Sequence, residues 1–189
     1  MVRYVTPEAK VADKREAILE ATIKVLQQRG LSGLKVEEVA RAAEVGKGTV
    51  YLYFQDKQDL LKALVEHHAL SFYRNVEQIV MQDRPFAERL REVLALRLDF
   101  ASEWRGSWAS VAREAHPGDP SGWLKGLRET YLRLLEVLVR SGQERGEVRR
   151  DLDPCLTAAV LDAINPQFEL PRQAYLEHLM EVLVKGVGQ

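Results

Sequence analysis

The sequence contains a single cysteine, Cys155, and no apolar run of the about 18 residues that a membrane-spanning helix needs. One cysteine excludes an intrachain disulfide framework and a thiolate metal cage. The N-terminal stretch MVRYVTPEAKVADKRE lacks the apolar segment of a signal peptide. We therefore expect a cytoplasmic protein with no membrane partner. We expect Cys155 to pack as a small core residue, with a redox thiol as the alternative.

Motifs that carry catalysis are also missing. There is no phosphate-binding loop, no nucleophile elbow and no HExxH sequence. The four histidines, His67, His68, His116 and His178, do not form a metal-ligand spacing with carboxylates. We therefore expect a protein that is not an enzyme and needs neither a cofactor nor a metal.

Charge of one sign is not in excess. The chain has 27 basic and 28 acidic residues, a net charge of −1. Residues 1–62 carry a net charge of +2, from 11 basic and 9 acidic residues, and the remainder carries −3. The total charge therefore neither supports nor excludes nucleic-acid binding, and the placement of individual charges has to decide.

The chain is rich in helix signals. Apolar residues recur at helical spacing, strand-like alternation is absent, and helix breakers fall at helix-length intervals. Asp13 and Asp56 are candidate N-caps, and Gly30 is a candidate C-terminal stop. The pattern predicts an all-α fold of about nine helices, over residues 14–29, 36–43, 47–53, 57–80, 85–104, 108–115, 123–143, 154–164 and 172–185.

Residues 36–54 have the properties of a helix-turn-helix. Two short helices that cross over a tight turn need a small residue where their backbones approach, and Ala40 fits that position. They also need apolar residues inside both helices and in the turn, which Val39, Ala43, Val45 and Val50 supply. The second helix of such a motif lies in the major groove of DNA.

The segment GKGTVYLYFQDKQDL, residues 46–60, resembles the tetracycline-repressor (TetR) family. The resemblance implies that Lys47 reaches base edges and that Gly48 allows close backbone approach. It implies that Thr49 and Tyr53 bond phosphates and that Tyr51 faces the groove. The alternatives are a capping or solvated hydroxyl for Thr49, packing roles for the tyrosines and a solvated charge for Lys47.

Residues that flank the second helix extend this expectation. Lys57, in the first turn of the long helix, is expected to bind a phosphate beside free backbone N–H groups, with a solvated charge as the alternative. Arg41 and Lys35 are further candidates for phosphate contacts. The basic residues that precede or open the first helix are expected to form a solvated tail, with an arm that enters the minor groove as the alternative (Arg3, Lys10, Lys14 and Arg15). Two positions depart from the family pattern. Glu44 replaces a glycine in the turn, and Lys35 replaces a threonine N-cap.

The resemblance implies a division into a DNA-binding domain over residues 1–56 and an effector-binding and dimerisation domain over residues 57–189. A homodimer is expected because two recognition helices read a palindrome. The last two helices are the expected dimer interface. For each of their apolar residues, packing within the same chain is the alternative. The apolar stripes of the two helices consist of Ala158, Ala159, Leu161, Ile164, Leu176, Leu179, Met180, Leu183 and Val184.

An effector pocket is expected in the middle of the chain, where aromatic and arginine side chains recur. The candidates are Arg97, Phe100, Trp104, Trp108, Arg113, Trp123 and Tyr131, with ordinary core packing as the alternative. Such residues suit an apolar or aromatic effector whose anionic group pairs with an arginine, as in an acyl or aryl coenzyme A ester. The sequence thus predicts a ligand-responsive repressor, and the alternative is a helical adaptor on the same fold without operator binding.

Overall fold

The computed structural model describes residues 7–104, 106–118, 120–164 and 171–187. In these residues the regular secondary-structure elements are all α-helices. The helices are α1 (Pro7–Arg29), α2 (Val36–Ala42), α3 (Lys47–Tyr53), α4 (Lys57–Val80), α5 (Phe86–Trp104), α6 (Trp108–Ala115), α7 (Pro120–Glu144), α8 (Pro154–Ala163) and α9 (Arg172–Val187). The predicted all-α class and the predicted number of about nine helices are confirmed for this part of the chain.

Several helix ends follow from the expected local chemistry. Gly30 stops α1 with a φ of +69°, and its N–H donates to the Leu26 carbonyl at 2.8 Å. Asp56 caps α4, since its Oδ1 accepts from the Asp59 N–H at 2.8 Å. The predicted start of α1 is wrong: the helix begins at Pro7, a favourable residue for a first helical position, so Asp13 lies inside it.

The described residues form two compact units. The first unit comprises those within Met1–His68 and Trp104–Ser121, and the second those within Ala69–Glu103 and Gly122–Gln189. These are packing units, whereas the expected boundary after residue 56 concerns function and stays a prediction.

In the first unit, α1 packs against α2 and α2 against α3. The side chains that hold these helices are fully or almost fully buried: Ile18, Leu19, Val39, Ala40, Val50, Phe54, Leu60, Leu61 and Leu64. Burial of so many aliphatic side chains supplies the main driving force for a domain of this size. It also fixes which face of α3 remains in solvent.

The second unit has its own apolar core. α4 (from Ala69), α5, α7, α8 and α9 contribute to one cluster that includes Val76, Leu90, Leu135 and Leu138. Four residues expected at the dimer interface belong to this intramolecular core instead, namely Ala158, Leu161, Leu176 and Met180. For these four, the packing alternative is correct.

Cys155 corrects another expectation. It is exposed on α8 rather than packed in the core. In the parts of the chain that the structure describes, no helix is long and apolar enough to span a membrane.

Candidate functional site

The turn between α2 and α3 is closed by backbone hydrogen bonds. The Val45 N–H donates to the Ala40 carbonyl at 2.9 Å, and the Glu44 N–H donates to the Arg41 carbonyl at 3.2 Å. This pair of bonds is the Schellman motif, which requires a left-handed residue just after the helix. Glu44 occupies that position with a φ of +55°. The departure from glycine noted in the sequence therefore places a strained residue in the turn.

The start of α2 lacks a side-chain cap. Lys35 is the N-cap residue, and its exposed side chain makes no capping hydrogen bond. Glu37 and Glu38 lie in the first turn of α2, where carboxylates interact favourably with the positive end of the helix dipole. These acidic residues offset part of the lost cap, and Lys35 is left facing solvent.

Helix α3 has one buried and one exposed side. Val50 is 1% exposed and anchors the helix, and Phe54 at its C-cap is 2% exposed. Thr49 and Tyr53 are half-buried at the flanks. The opposite side faces solvent, and we call it the reading face: Lys47, Gly48, Tyr51 and Leu52. All five predicted residues of α3 lie on the reading face (Lys47, Gly48 and Tyr51) or at its flanks (Thr49 and Tyr53), and Gly48 leaves open space where a Cβ would lie.

Lys47 contacts an acidic side chain, Glu37, and an aromatic ring, Tyr51. Its Nζ lies 2.5 Å from Glu37 Oε1 and 5.7 Å from the Tyr51 ring centroid. The hydrogen bond between the two side chains lowers the pKa of Glu37 and raises the pKa of Lys47 from their ordinary values. Both groups are therefore charged at neutral pH. The cation–π contact places the ammonium against a ring on the reading face.

Other basic candidates are also engaged. Arg41 lies 3.4 Å from Glu38, which Arg29 also approaches at 3.1 Å. Lys57 Nζ lies 2.6 Å from Glu114 Oε1 on α6. The backbone N–H of Asp59 is taken by Asp56, so the first turn of α4 offers fewer free donors than expected.

The basic residues before and at the start of α1 are described only in part. Arg3 and the side chain of Lys10 lie outside the described residues. Lys14 is exposed. The Arg15 guanidinium lies 5.4 Å from the Phe54 ring centroid, which ties it to the base of α3.

Three of the expected effector residues meet in the second unit. The Arg97 guanidinium lies 5.3 Å from the Tyr131 ring centroid, and Phe72 lies 4.9 Å from Phe100 and 5.2 Å from Tyr131, measured between ring centroids. Tyr131 is buried, and its burial raises the pKa of the phenol. We call Phe72, Arg97, Phe100 and Tyr131 the aromatic–arginine cluster.

A buried carboxylate, that of Asp162, joins Arg97 of this cluster to Arg128. Arg97 Nη1 donates to Asp162 Oδ1 at 2.8 Å, and Arg128 Nε donates to Asp162 Oδ2 at 2.5 Å. Asp162 is 8% exposed. Sequence reasoning missed Asp162 and Phe72. A signal for Asp162 existed, because it is the lone charged residue in the apolar helix α8.

The remaining effector candidates lie elsewhere. Trp104 and Trp108 belong to the first unit, where their ring centroids are 4.6 Å apart and Trp104 also contacts His68 at 5.4 Å. Arg113 is exposed and donates to Ser110 at 3.1 Å. Trp123 is half-buried on α7. The seven expected residues therefore do not form one cluster within either unit.

The described residues contain no group of three or more histidine, cysteine or acidic side chains placed to hold a metal ion.

Comparison with known proteins identifies this arrangement. Residues 18–64 match the family model for bacterial regulatory proteins of the tetR family. The chain is 31% identical over 156 residues to the transcriptional regulator AcuR of Cereibacter sphaeroides, covering 78% of this chain and 70% of that protein.

Solved structures agree with this match. The TetR transcriptional regulator SCO0520 of Streptomyces coelicolor superposes with a TM-score of 0.69 and 27% identity, covering 92% of this chain and 98% of the other. The transcriptional regulator FadR of Bacillus subtilis, crystallised in complex with stearoyl-CoA, has the same fold, with a TM-score of 0.71, 21% identity and coverage of 90% and 98%. The chain belongs to the tetR family and is a transcriptional regulator with a helix-turn-helix, not an enzyme.

Proposed function

We propose that this regulator is a cytoplasmic repressor that binds a palindromic operator as a homodimer and releases it when a small apolar or aromatic effector binds. The observation that carries the proposal is the reading face of α3, which is exposed above a buried Val50 and Phe54. A short helix held rigidly from behind and open in front suits insertion into the major groove.

Each residue of the helix-turn-helix has a proposed role. Lys47 contacts guanine acceptors and Tyr51 lies in the groove beside it. Gly48 lets the backbone approach, and Thr49 and Tyr53 donate to phosphates from the flanks of α3. These contacts set the register of the helix on DNA.

The flanking cations act on the DNA backbone. Lys57, Lys35 and Arg41 are proposed to bind phosphates. Lys57 exchanges Glu114 for a phosphate, so α6 competes with DNA for this lysine. A movement of Glu114 would change the strength of its ion pair with Lys57. Because that ion pair competes with a DNA phosphate, the position of α6 would change the affinity for the operator.

The dimer is proposed to form through α8 and α9. Leu156 and Val160 lie one turn apart on α8, with exposed fractions of 69% and 62%, and Val182 on α9 is 56% exposed. Exposed aliphatic residues on neighbouring parts of a surface are typical of an interface. Sedimentation of the wild type and of a Leu156→Asp/Val160→Asp variant tests this, and we expect a dimer and a folded monomer, respectively.

The effector is proposed to bind at the aromatic–arginine cluster of the second unit. Two guanidiniums share the single carboxylate of Asp162, which leaves one positive charge over for an anionic group. Phe72 and Phe100 supply apolar walls. The stearoyl-CoA bound to the similarly folded FadR supports an acyl or aryl coenzyme A ester as the effector class.

The shift of the thermal unfolding temperature on addition of ligand tests this effector proposal. Stearoyl-CoA and benzoyl-CoA are compared with free coenzyme A, and we expect an ester to raise the unfolding temperature as ligand concentration increases. Absence of stabilisation by either ester at saturating concentration contradicts the proposed effector class and leaves the DNA-binding proposal intact.

Selection of bound duplexes from random DNA tests the operator proposal. We expect a palindromic consensus whose half-sites lie about one helical turn, roughly 10 base pairs, apart. The alternative function, a helical adaptor without operator binding, predicts no enrichment of any sequence. Repression itself is then measured with a reporter gene placed behind the selected duplex.

A further inference from the structure

Leu52 is the most exposed of the large hydrophobic side chains in the described residues. Its exposed fraction is 83%, compared with 69% for Leu156 and 64% for Met81. A leucine left in water on a seven-residue helix contributes nothing to the core of the first unit. Its side chain is available for a partner that approaches α3 from the solvent side.

The neighbours of Leu52 make this part of α3 accessible. Gly48 lies one turn earlier on the same side of the helix, and a Cβ built on it would meet no atom within 4 Å. Lys47 and Tyr51, also one turn apart, lie alongside. The reading face therefore has a polar half, Lys47 and Tyr51, and a smooth apolar half, Gly48 and Leu52.

The apolar half cannot read hydrogen-bond donors or acceptors. The major groove offers one apolar feature that distinguishes base pairs, the C5-methyl group of thymine. A leucine that protrudes beside a residue without a side chain can reach the floor of the groove and contact this methyl group. The polar half would then read guanine acceptors on neighbouring base pairs.

We propose that Leu52 determines operator specificity by contacting a thymine methyl group in each half-site. The inference rests on the proposed operator binding and adds to it a residue that the family motif did not single out. It predicts a thymine in the half-site whose methyl group, rather than its hydrogen-bonding edge, is recognised.

The test removes the methyl group and the side chain in turn. The duplex selected by the wild-type protein is prepared with each thymine replaced by deoxyuridine, which lacks only the C5-methyl. We expect one position per half-site at which the replacement weakens wild-type binding by about fourfold, the fold-change that burial of one methyl supplies. Leu52→Ala, which removes the contact from both protomers, should bind the thymine duplex about as weakly as the wild type binds a duplex with deoxyuridine at that position in both half-sites, and should show no further loss with deoxyuridine.

Leu70→Ala is the matched control, because Leu70 is a 55% exposed leucine on α4, outside the reading face. It should retain the full deoxyuridine effect. If wild type and Leu52→Ala lose the same factor at every position, or wild type loses none, the inference is overturned while operator binding stands. If no duplex is selected at all, operator binding is overturned and the inference falls with it.

Discussion

At the scale of single residues, Glu44 adopts a left-handed backbone conformation that three glycines of the described residues also adopt. Gly30, Gly106 and Gly146 have φ values of +69°, +75° and +72°, whereas Glu44 has +55° with a side chain attached. A left-handed residue with a Cβ costs of the order of 1 kcal/mol. The Schellman bonds at the end of α2 hold the strained residue in place.

Replacing Glu44 with glycine should relieve this strain and remove a negative charge near DNA. We expect Glu44→Gly to raise the free energy of unfolding by about 1 kcal/mol, a melting shift of roughly 2–4 °C for a chain of this length. Operator affinity should also rise. Glu44→Gln separates the effects, since it removes the charge and keeps the strain. Unchanged melting and unchanged affinity in Glu44→Gly would contradict both parts.

His68 is a second residue whose environment has a measurable consequence. Burial, with a smaller contribution from the charge of His67, lowers the pKa of His68 from 6.5 to about 4. The folded protein therefore keeps the ring neutral against Trp104 in a range where the unfolded chain binds a proton. The free energy of unfolding should fall as pH decreases from 6.5 towards 4, because unfolding takes up that proton.

Urea unfolding at several pH values in this range measures the effect. We expect a weaker pH dependence in His68→Gln than in the wild type, and a dependence close to that of the wild type in His67→Gln. Equal slopes in the wild type and His68→Gln would show that His68 does not titrate differently in the folded and unfolded states.

At the scale of elements, α7 contains three glycines, of which Gly126 and Gly142 lie in opposite surroundings. A Cβ on Gly142 would lie 2.6 Å from Val148 Cγ2 and 2.9 Å from Phe86 Cδ2. A Cβ on Gly126 would meet nothing within 4 Å. Gly142 thus permits close approach of the segments around α7, whereas Gly126 only weakens the helix.

Alanine at the two positions should have opposite effects. Gly142→Ala is expected to destabilise the protein by about 1–3 kcal/mol through overpacking, despite the better helix propensity of alanine. Gly126→Ala should stabilise it by up to about 1 kcal/mol. Denaturant unfolding of the two variants checks this. A Gly142→Ala protein with an unchanged or higher free energy of unfolding would show that Phe86 and Val148 can move aside at little cost.

Elements with strong local signals could be predicted from the sequence. Gly30 and Asp56 mark helix ends by backbone freedom and capping, and the bounds of α3 and α4 agree with the predicted ranges. The start of α1 was missed because Asp13 imitates a cap inside a continuous helix. The partners of the candidate site residues could not be predicted, since Glu37, Glu114 and Asp162 meet their cations only through tertiary packing.

At the scale of the whole molecule, the net charge of −1 does not show which carboxylates pair with the lysines of the candidate site. Lys47 and Lys57 both belong to ion pairs, with Glu37 and Glu114. Exposed pairs of this kind contribute little to stability, so a DNA phosphate or base can replace the carboxylate at small cost. Binding to DNA is therefore expected to depend on these local exchanges rather than on a general attraction of the chain for anions.

The salt dependence of binding to the selected palindromic duplex tests operator recognition most directly. We expect log affinity to fall linearly with log salt between about 50 and 200 mM, and Lys57→Gln to make the slope less steep by about 2, one phosphate contact per protomer. Lys125→Gln, an exposed lysine on α7, should leave the slope unchanged. Binding without salt dependence would contradict operator recognition by this helix-turn-helix, and a slope that Lys57→Gln does not alter would contradict the phosphate contact proposed for Lys57 on α4.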